Sequence, residues 1–138
     1  MASTVTCYIT KLTTQFIISL KLYFIQYTMH TLLKHKRFWN DCKSKSKKKI
    51  ADRLKPLKST ELRSVCSCAR NVYNGNVQMP RYTVEKLRPY KKQLKHLGLK
   101  PFDFKAKKKI VQKGGAVFLP ILATIASSLI SSLLNQNG

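Results

Sequence analysis

Carboxylates are scarce in this sequence: five Asp and Glu in 138 residues, against 27 Lys and Arg, for a formal net charge of +22. The five are scattered, at Asp41, Asp52, Glu61, Glu85 and Asp103, so no pair is offered for general acid–base work. No Ser or Cys is placed with a His for nucleophilic catalysis, and no glycine-rich loop is present to cradle a phosphate. The four cysteines (Cys7, Cys42, Cys66, Cys68) form no framework, because Cys66-Ser67-Cys68 is too tight for a metal knuckle and has no second pair. The three histidines, His30, His35 and His96, fall at no metal-ligand spacing. Reduced thiols in an intracellular compartment are the expectation. An enzyme, a metal centre and a cofactor site therefore have no sequence signal, and the length bounds the chain to one small domain.

What the chain has is positive charge, unevenly distributed. Between Lys43 and Lys113 there are 22 Lys and Arg against four acids. Self-repulsion at this density opposes compaction unless an anionic partner neutralises it. Solvated helix faces usually mix signs, so a run of one sign points to a polyanion, double-stranded DNA or another, with nucleic acid ahead of acidic membrane lipid. The cations expected to contact it are Lys45, Lys47, Lys48, Lys49, Arg63, Arg70, Arg88, Lys91, Lys92, Lys95, Lys105, Lys107, Lys108, Lys109 and Lys113.

The order along the chain suggests five segments. Residues 1–42 are poorly defined: Phe16 to Tyr27 is apolar but interrupted by Lys21, and there is no secretory leader pattern. A packed helix or strand and a membrane anchor are equal readings of it. Residues 43–49, Lys-Ser-Lys-Ser-Lys-Lys-Lys, read as a disordered basic linker that also suits nuclear import or phosphate binding. Residues 50–98 read as a helical basic unit. Ser59 or Thr60 offers an N-cap with Glu61 in the first turn, and Leu62, Val65, Cys66, Ala69, Val72 and Tyr73 form one apolar stripe. Asn74-Gly75 supplies a stop. Thr83 can cap a second helix with Val84, Leu87, Tyr90, Leu94 and Leu97 inside, kinked or split at Pro89 and closed by Gly98. Residues 99–115 read as a basic connector in which Phe102 and Phe104 pack on the helical unit or stack on bases.

Residues 116–138 form a hydrophobic tail. Ala116 to Leu134 carries no charge, and as a helix it would span roughly 28 Å, near the thickness of a bilayer's hydrocarbon core. Thr124, Ser127, Ser128, Ser131 and Asn135 share one face; Leu122, Ile125, Leu129, Ile130 and Leu133 lie opposite. Together with Phe118, that apolar face is expected to pack on a membrane, a partner or the chain's own core. Pro120 is tolerated if it stands in a first helical turn. Gly114-Gly115 has three readings: a flexible hinge, a helix break, and a protease recognition site.

The stretch from Leu54 through Cys66-Ser-Cys-Ala-Arg-Asn-Val-Tyr-Asn-Gly-Asn-Val77 resembles a segment of small basic proteins of Maverick/Polinton elements and the related adintoviruses. In those proteins a Lys/Arg-rich helix and a Gln-Lys-Gly-Gly apolar ending follow, and Leu87 to Leu97 and Lys107 to Leu134 repeat that order here. The ending from Gly114-Gly115 to Leu122 is also similar to the adenovirus core peptide precursors, in which a basic DNA-condensing part precedes a Gly-Gly-x-Leu-Pro tail. The resemblance covers roughly residues 50–134. It implies a minor capsid or core protein of a virus-like transposable element, acting on packaged DNA. It also implies cleavage near small-glycine sites, although Gln112 stands where the usual pattern has Met, Ile or Leu.

The combined expectation is an all-α protein: a two- to three-helix basic unit, disordered linkers and a hydrophobic C-terminal helix. Its expected function is sequence-independent DNA binding in a nucleus or virion-like particle, with the tail contacting membrane, capsid proteins or further copies of itself. The alternative is a tail-inserting membrane protein whose basic region sits on anionic lipid.

Overall fold

The computed structural model describes the backbone of residues 2–136, with the side chains of residues 2, 3, 21, 24, 25, 133, 135 and 136 outside the described set. Within it the fold is all-α. The elements are α1 (Ala2–Lys34), α2 (Lys36–Ser44), α3 (Lys47–Leu54), α4 (Ser59–Tyr73), α5 (Arg81–Leu87), a 3-10 turn (Arg88–Tyr90), α6 (Lys91–Leu99) and α7 (Phe104–Gln136).

The local signals account for most boundaries. α4 ends in a Schellman motif: Asn76 N–H donates to Asn71 C=O at 2.9 Å and Gly75 N–H to Val72 C=O at 3.2 Å. Gly75 takes φ +71°, a left-handed conformation that glycine adopts at little cost. Pro89 splits the second helix into α5, the 3-10 turn and α6, because proline lacks the N–H an α-helix interior needs. The start of α4 differs from expectation. Lys58, not Ser59 or Thr60, is the capping residue, and its backbone N–H donates to the Glu61 carboxylate at 3.0 Å. Thr83 is likewise buried inside α5 rather than capping it.

One core joins all of this. α7 packs against each of the six other helices. Its Val111, Phe118, Leu119, Leu122, Ala123, Ala126 and Ile130 meet Phe38, Trp39 and Cys42 of α2, Ile50 and Leu54 of α3, and Leu62, Val65, Ala69 and Val72 of α4 in a single buried cluster. Trp39 donates its indole N–H to Ser64 Oγ at 3.0 Å inside the core. α4 and α6 approach closely at Gly98, where a Cβ would lie 2.6 Å from Arg70 Cα. α4 is buried over more than one stripe: Ser64, Cys68 and Asn71 are buried, while Cys66 and Tyr73 are only half-buried.

Several segment expectations need correcting. Residues 43–49 are not a disordered linker: they belong mostly to the end of α2 and the start of α3, which the apolar anchors Cys42 and Ile50 pin to the core. The connector and tail are not separate, because α7 runs without interruption from Phe104 to Gln136. Gly114 and Gly115 therefore sit in mid-helix with no positive φ, and neither hinges nor breaks it. Gly115 is used for closeness instead, since Leu54 Cδ1 lies 2.9 Å from where its Cβ would be. Pro120 lies in the interior of α7 and not in a first turn. Residues 2–42, poorly defined in sequence, fold as α1 and most of α2.

The tail's apolar face is built into the core: Phe118 and Leu122 are fully buried, Ile125 is buried and Leu129 half-buried. Leu133 lies outside the described side chains. The stretch Phe104–Ser132 is the one helix among the described residues long and apolar enough to cross a membrane, and 44% of its most apolar window is buried inside this fold.

Candidate nucleic-acid interface

The surface charge follows from how the few acids are used. Arg53 bridges Asp41 and Glu61, tying α2, α3 and α4 together, and Lys45 reaches Asp41 at 3.5 Å. Asp52 pairs with Lys55 and Glu85 with Arg81. Asp103 accepts from Ala106 N–H at the start of α7. All five acids thus have partners within the chain, so most of the cations have no carboxylate to neutralise them.

Those cations are mostly in solvent. Lys45, Lys47, Lys48, Lys49, Arg63, Arg88, Lys91, Lys92, Lys95, Lys105, Lys109 and Lys113 are exposed. The fold brings some of them together. Arg88, Lys91, Lys92 and Lys95, with Tyr73 and Pro89, line an open hollow of about 580 Å³ at the start of α6. α6 continues directly from the 3-10 turn, with Lys91 N–H donating to Arg88 C=O, so the positive potential there comes from the four side chains. The lysine blocks of α3 and α7 lie on neighbouring helices: Leu54 packs at Gly115, and Gln112 Nε2 donates to Leu54 C=O at 3.2 Å.

Three expected contacts have other duties. Lys107 is buried at 2% exposure, and its Nζ donates to Leu97 C=O and Lys100 C=O, each at 2.8 Å. It closes the corner between α6 and α7 instead of facing a ligand. Burial pulls its ammonium below the ordinary lysine range; Cys66 acts against that, and Arg70 adds to it. Arg70 is half-buried and donates from Nε to Gly98 C=O at 2.7 Å. Lys108 is half-buried over the Phe104 ring at 5.2 Å. Arg63 stacks over Phe102 at 3.9 Å from the ring centroid, with the Lys107 ammonium 5.8 Å from that centroid. Both phenylalanines are half-buried against the core cluster.

The reading by residue type misses Lys36, Arg37 and Lys43, exposed on α2, and Lys100, which shares a hollow with Arg63, Arg70 and Phe102. The signal for α2 is in the sequence, since Lys34-His-Lys-Arg37 is as basic as the runs that follow it. Among the described residues no group of His, Cys, Asp or Glu could hold a metal ion, and all four thiols are free. Burial raises the Cys42 and Cys68 thiols to about 12, and it raises that of Cys66 as well.

No protein-family model matches the chain, and no curated protein or solved structure is significantly similar to it.

Proposed function

We propose that this chain is a non-enzymatic, sequence-independent nucleic-acid-binding structural protein that neutralises the phosphates of double-stranded DNA. The observation that carries the reading is that four of the five acids pair with Lys or Arg and the fifth, Asp103, accepts from a backbone N–H, beside a large surplus of exposed Lys and Arg. Exposed ammonium and guanidinium groups displace condensed counterions from a duplex, and that release drives binding without reading bases. No side-chain set for base recognition is visible in the sequence, so specificity is expected to be low.

The virion-core or minor-capsid role, and encoding by a Polinton- or adintovirus-like element, rest on the motif from Cys66 to Val77 and on the Gly-Gly ending. On that reading the protein works in a nucleus or virion-like particle, bound to packaged DNA. The test is binding of the full chain to two duplexes of unrelated sequence at about 0.1 M salt. Affinities within roughly threefold of each other are expected. A preference above about a hundredfold for one duplex, in the range of specific recognition, or no binding to either, overturns the proposal.

A further inference from the structure

Among the described residues most of the exposed large apolar side chains lie not on the tail but on α1. Every described side chain from Thr4 to Tyr27 is exposed, including Val5, Ile9, Leu12, Phe16, Ile17 and Leu20. Only its last turns join the body, through buried Thr28 and Leu32 and the hydrogen bond from Asn71 Nδ2 to Thr28 Oγ1. An exposed apolar surface of this extent marks an interaction site.

We infer that the α1 arm inserts into a lipid bilayer, with the cationic body held against the anionic headgroups of the same membrane. Three features favour lipid as the occupant. First, the apolar residues surround the helix and form no single stripe, which suits a solvent that contacts all sides; a partner helix would cover only one. Second, three of its threonine hydroxyls are already satisfied within the helix. Thr10, Thr13 and Thr14 donate their hydroxyls to the carbonyls of Thr6, Ile9 and Thr10 at 2.8–2.9 Å, as a helix in hydrocarbon requires. Third, the arm has no acid to pair with the lysines of a second copy, and two chains of net charge +22 repel. From Thr4 to Tyr27 the helix extends about 36 Å, but Lys11 and Lys21 interrupt it, so the inserted part is the uncharged block between them and not a full span. Lys11 and Lys21 bracket the uncharged block Leu12–Leu20, each about 8 Å along the axis from its centre at Phe16. The insertion does not depend on DNA binding, and salt separates the two: headgroup and phosphate contacts are screened, and a buried apolar helix is not.

Cys7 is the exposed thiol among the four and lies on this arm, so it can carry a polarity-sensitive fluorophore in the full chain. The labelled protein is mixed with phosphatidylcholine vesicles containing phosphatidylserine, then washed with about 1 M NaCl. A blue shift that survives the wash is expected, with at least about a tenfold loss of retained protein for the double variant Phe16→Glu, Ile17→Glu. Emission from Trp39, buried in the body, reports that the variant is still folded. A label that stays in a watery environment, complete release by salt, or retention equal to wild type in the variant overturns the inference. So does a lipid-free oligomer that buries the label, because the arm would then be covered by a second copy.

Discussion

Replacing Gly114 by Ala should make the protein more stable. In a helix interior alanine is favoured over glycine by about 1 kcal/mol, partly because glycine has more freedom to lose on folding. The new methyl would lie 3.4 and 3.6 Å from Cε1 and Cδ1 of Phe118, ordinary contact distances. Nothing opposes the propensity gain, so Gly114→Ala should add roughly 0.5–1 kcal/mol, or about 2–4 °C in Tm. One residue on, the outcome changes. At Gly115 the methyl would meet Leu54 Cδ1 at 2.9 Å, Leu119 Cδ1 at 3.1 Å and Val111 Cγ1 at 3.2 Å, all side-chain tips in a packed core. That crowding offsets the propensity gain, and the net is expected between zero and about 1 kcal/mol of destabilisation. Gly98→Ala should be worst, at roughly 3 kcal/mol, since its methyl would sit 2.6 Å from Arg70 Cα and 2.7 Å from Arg70 N, and backbone cannot step aside. Urea unfolding followed by circular dichroism and Trp39 fluorescence gives the order. A Gly114→Ala variant less stable than wild type would refute the reasoning, since that is the result for a glycine in a hinge with left-handed backbone.

Ser64→Ala should cost about 1–3 kcal/mol, because it orphans the buried Trp39 indole N–H; equilibrium unfolding reads it, and a loss under about 0.3 kcal/mol would contradict the account. Lys107→Met should lower stability by a similar amount, through the two unpaired carbonyls, yet leave DNA affinity within about twofold by gel shift. The Cys42 and Cys68 thiols are raised from 9.0 to about 12. Folded chains therefore hold these protons more tightly than unfolded ones: the contribution is complete below pH 9.0, is lost progressively above it, and is gone beyond about 12. Cys68→Ala should flatten the fall of the urea midpoint across that range. At neutral pH a thiol reagent should modify Cys7 fast in the native state and leave Cys42 and Cys68 unmodified until denaturant is added.

The all-α class and the α4 stop were legible because they depend on neighbours in sequence: Asn74-Gly75 fixes a left-handed turn wherever it falls at a helix end, and Pro89 splits a helix in any context. The errors lie where distant contacts decide. Gly114-Gly115 carries a local signal for flexibility, but packing of Leu54 and Phe118 along α7 keeps the pair helical. Residues 43–49 carry a local signal for disorder, which the core anchors on either side override. The candidate interface was mostly legible, since lysines on a small domain are exposed almost by default. Lys107 was not: it stands in a run of three lysines, and only the α6–α7 corner singles it out. The reversal between α1 and the tail was least accessible. Both are long and apolar, and which one fills the core is set by the shapes of the elements they meet.

The central claim is that unpaired cations bind a polyanion by counterion release. The direct measurement is the salt dependence of binding by the full chain to a random-sequence duplex, beside a variant with Arg88→Gln, Lys91→Gln, Lys92→Gln and Lys95→Gln around the α6 hollow. A steep linear fall of log affinity with log salt is expected, of slope about −4 or beyond, with a slope shallower by up to about 3.6 in the variant. A slope near zero in the wild-type chain, or a variant that binds with the same affinity and the same slope, would contradict it.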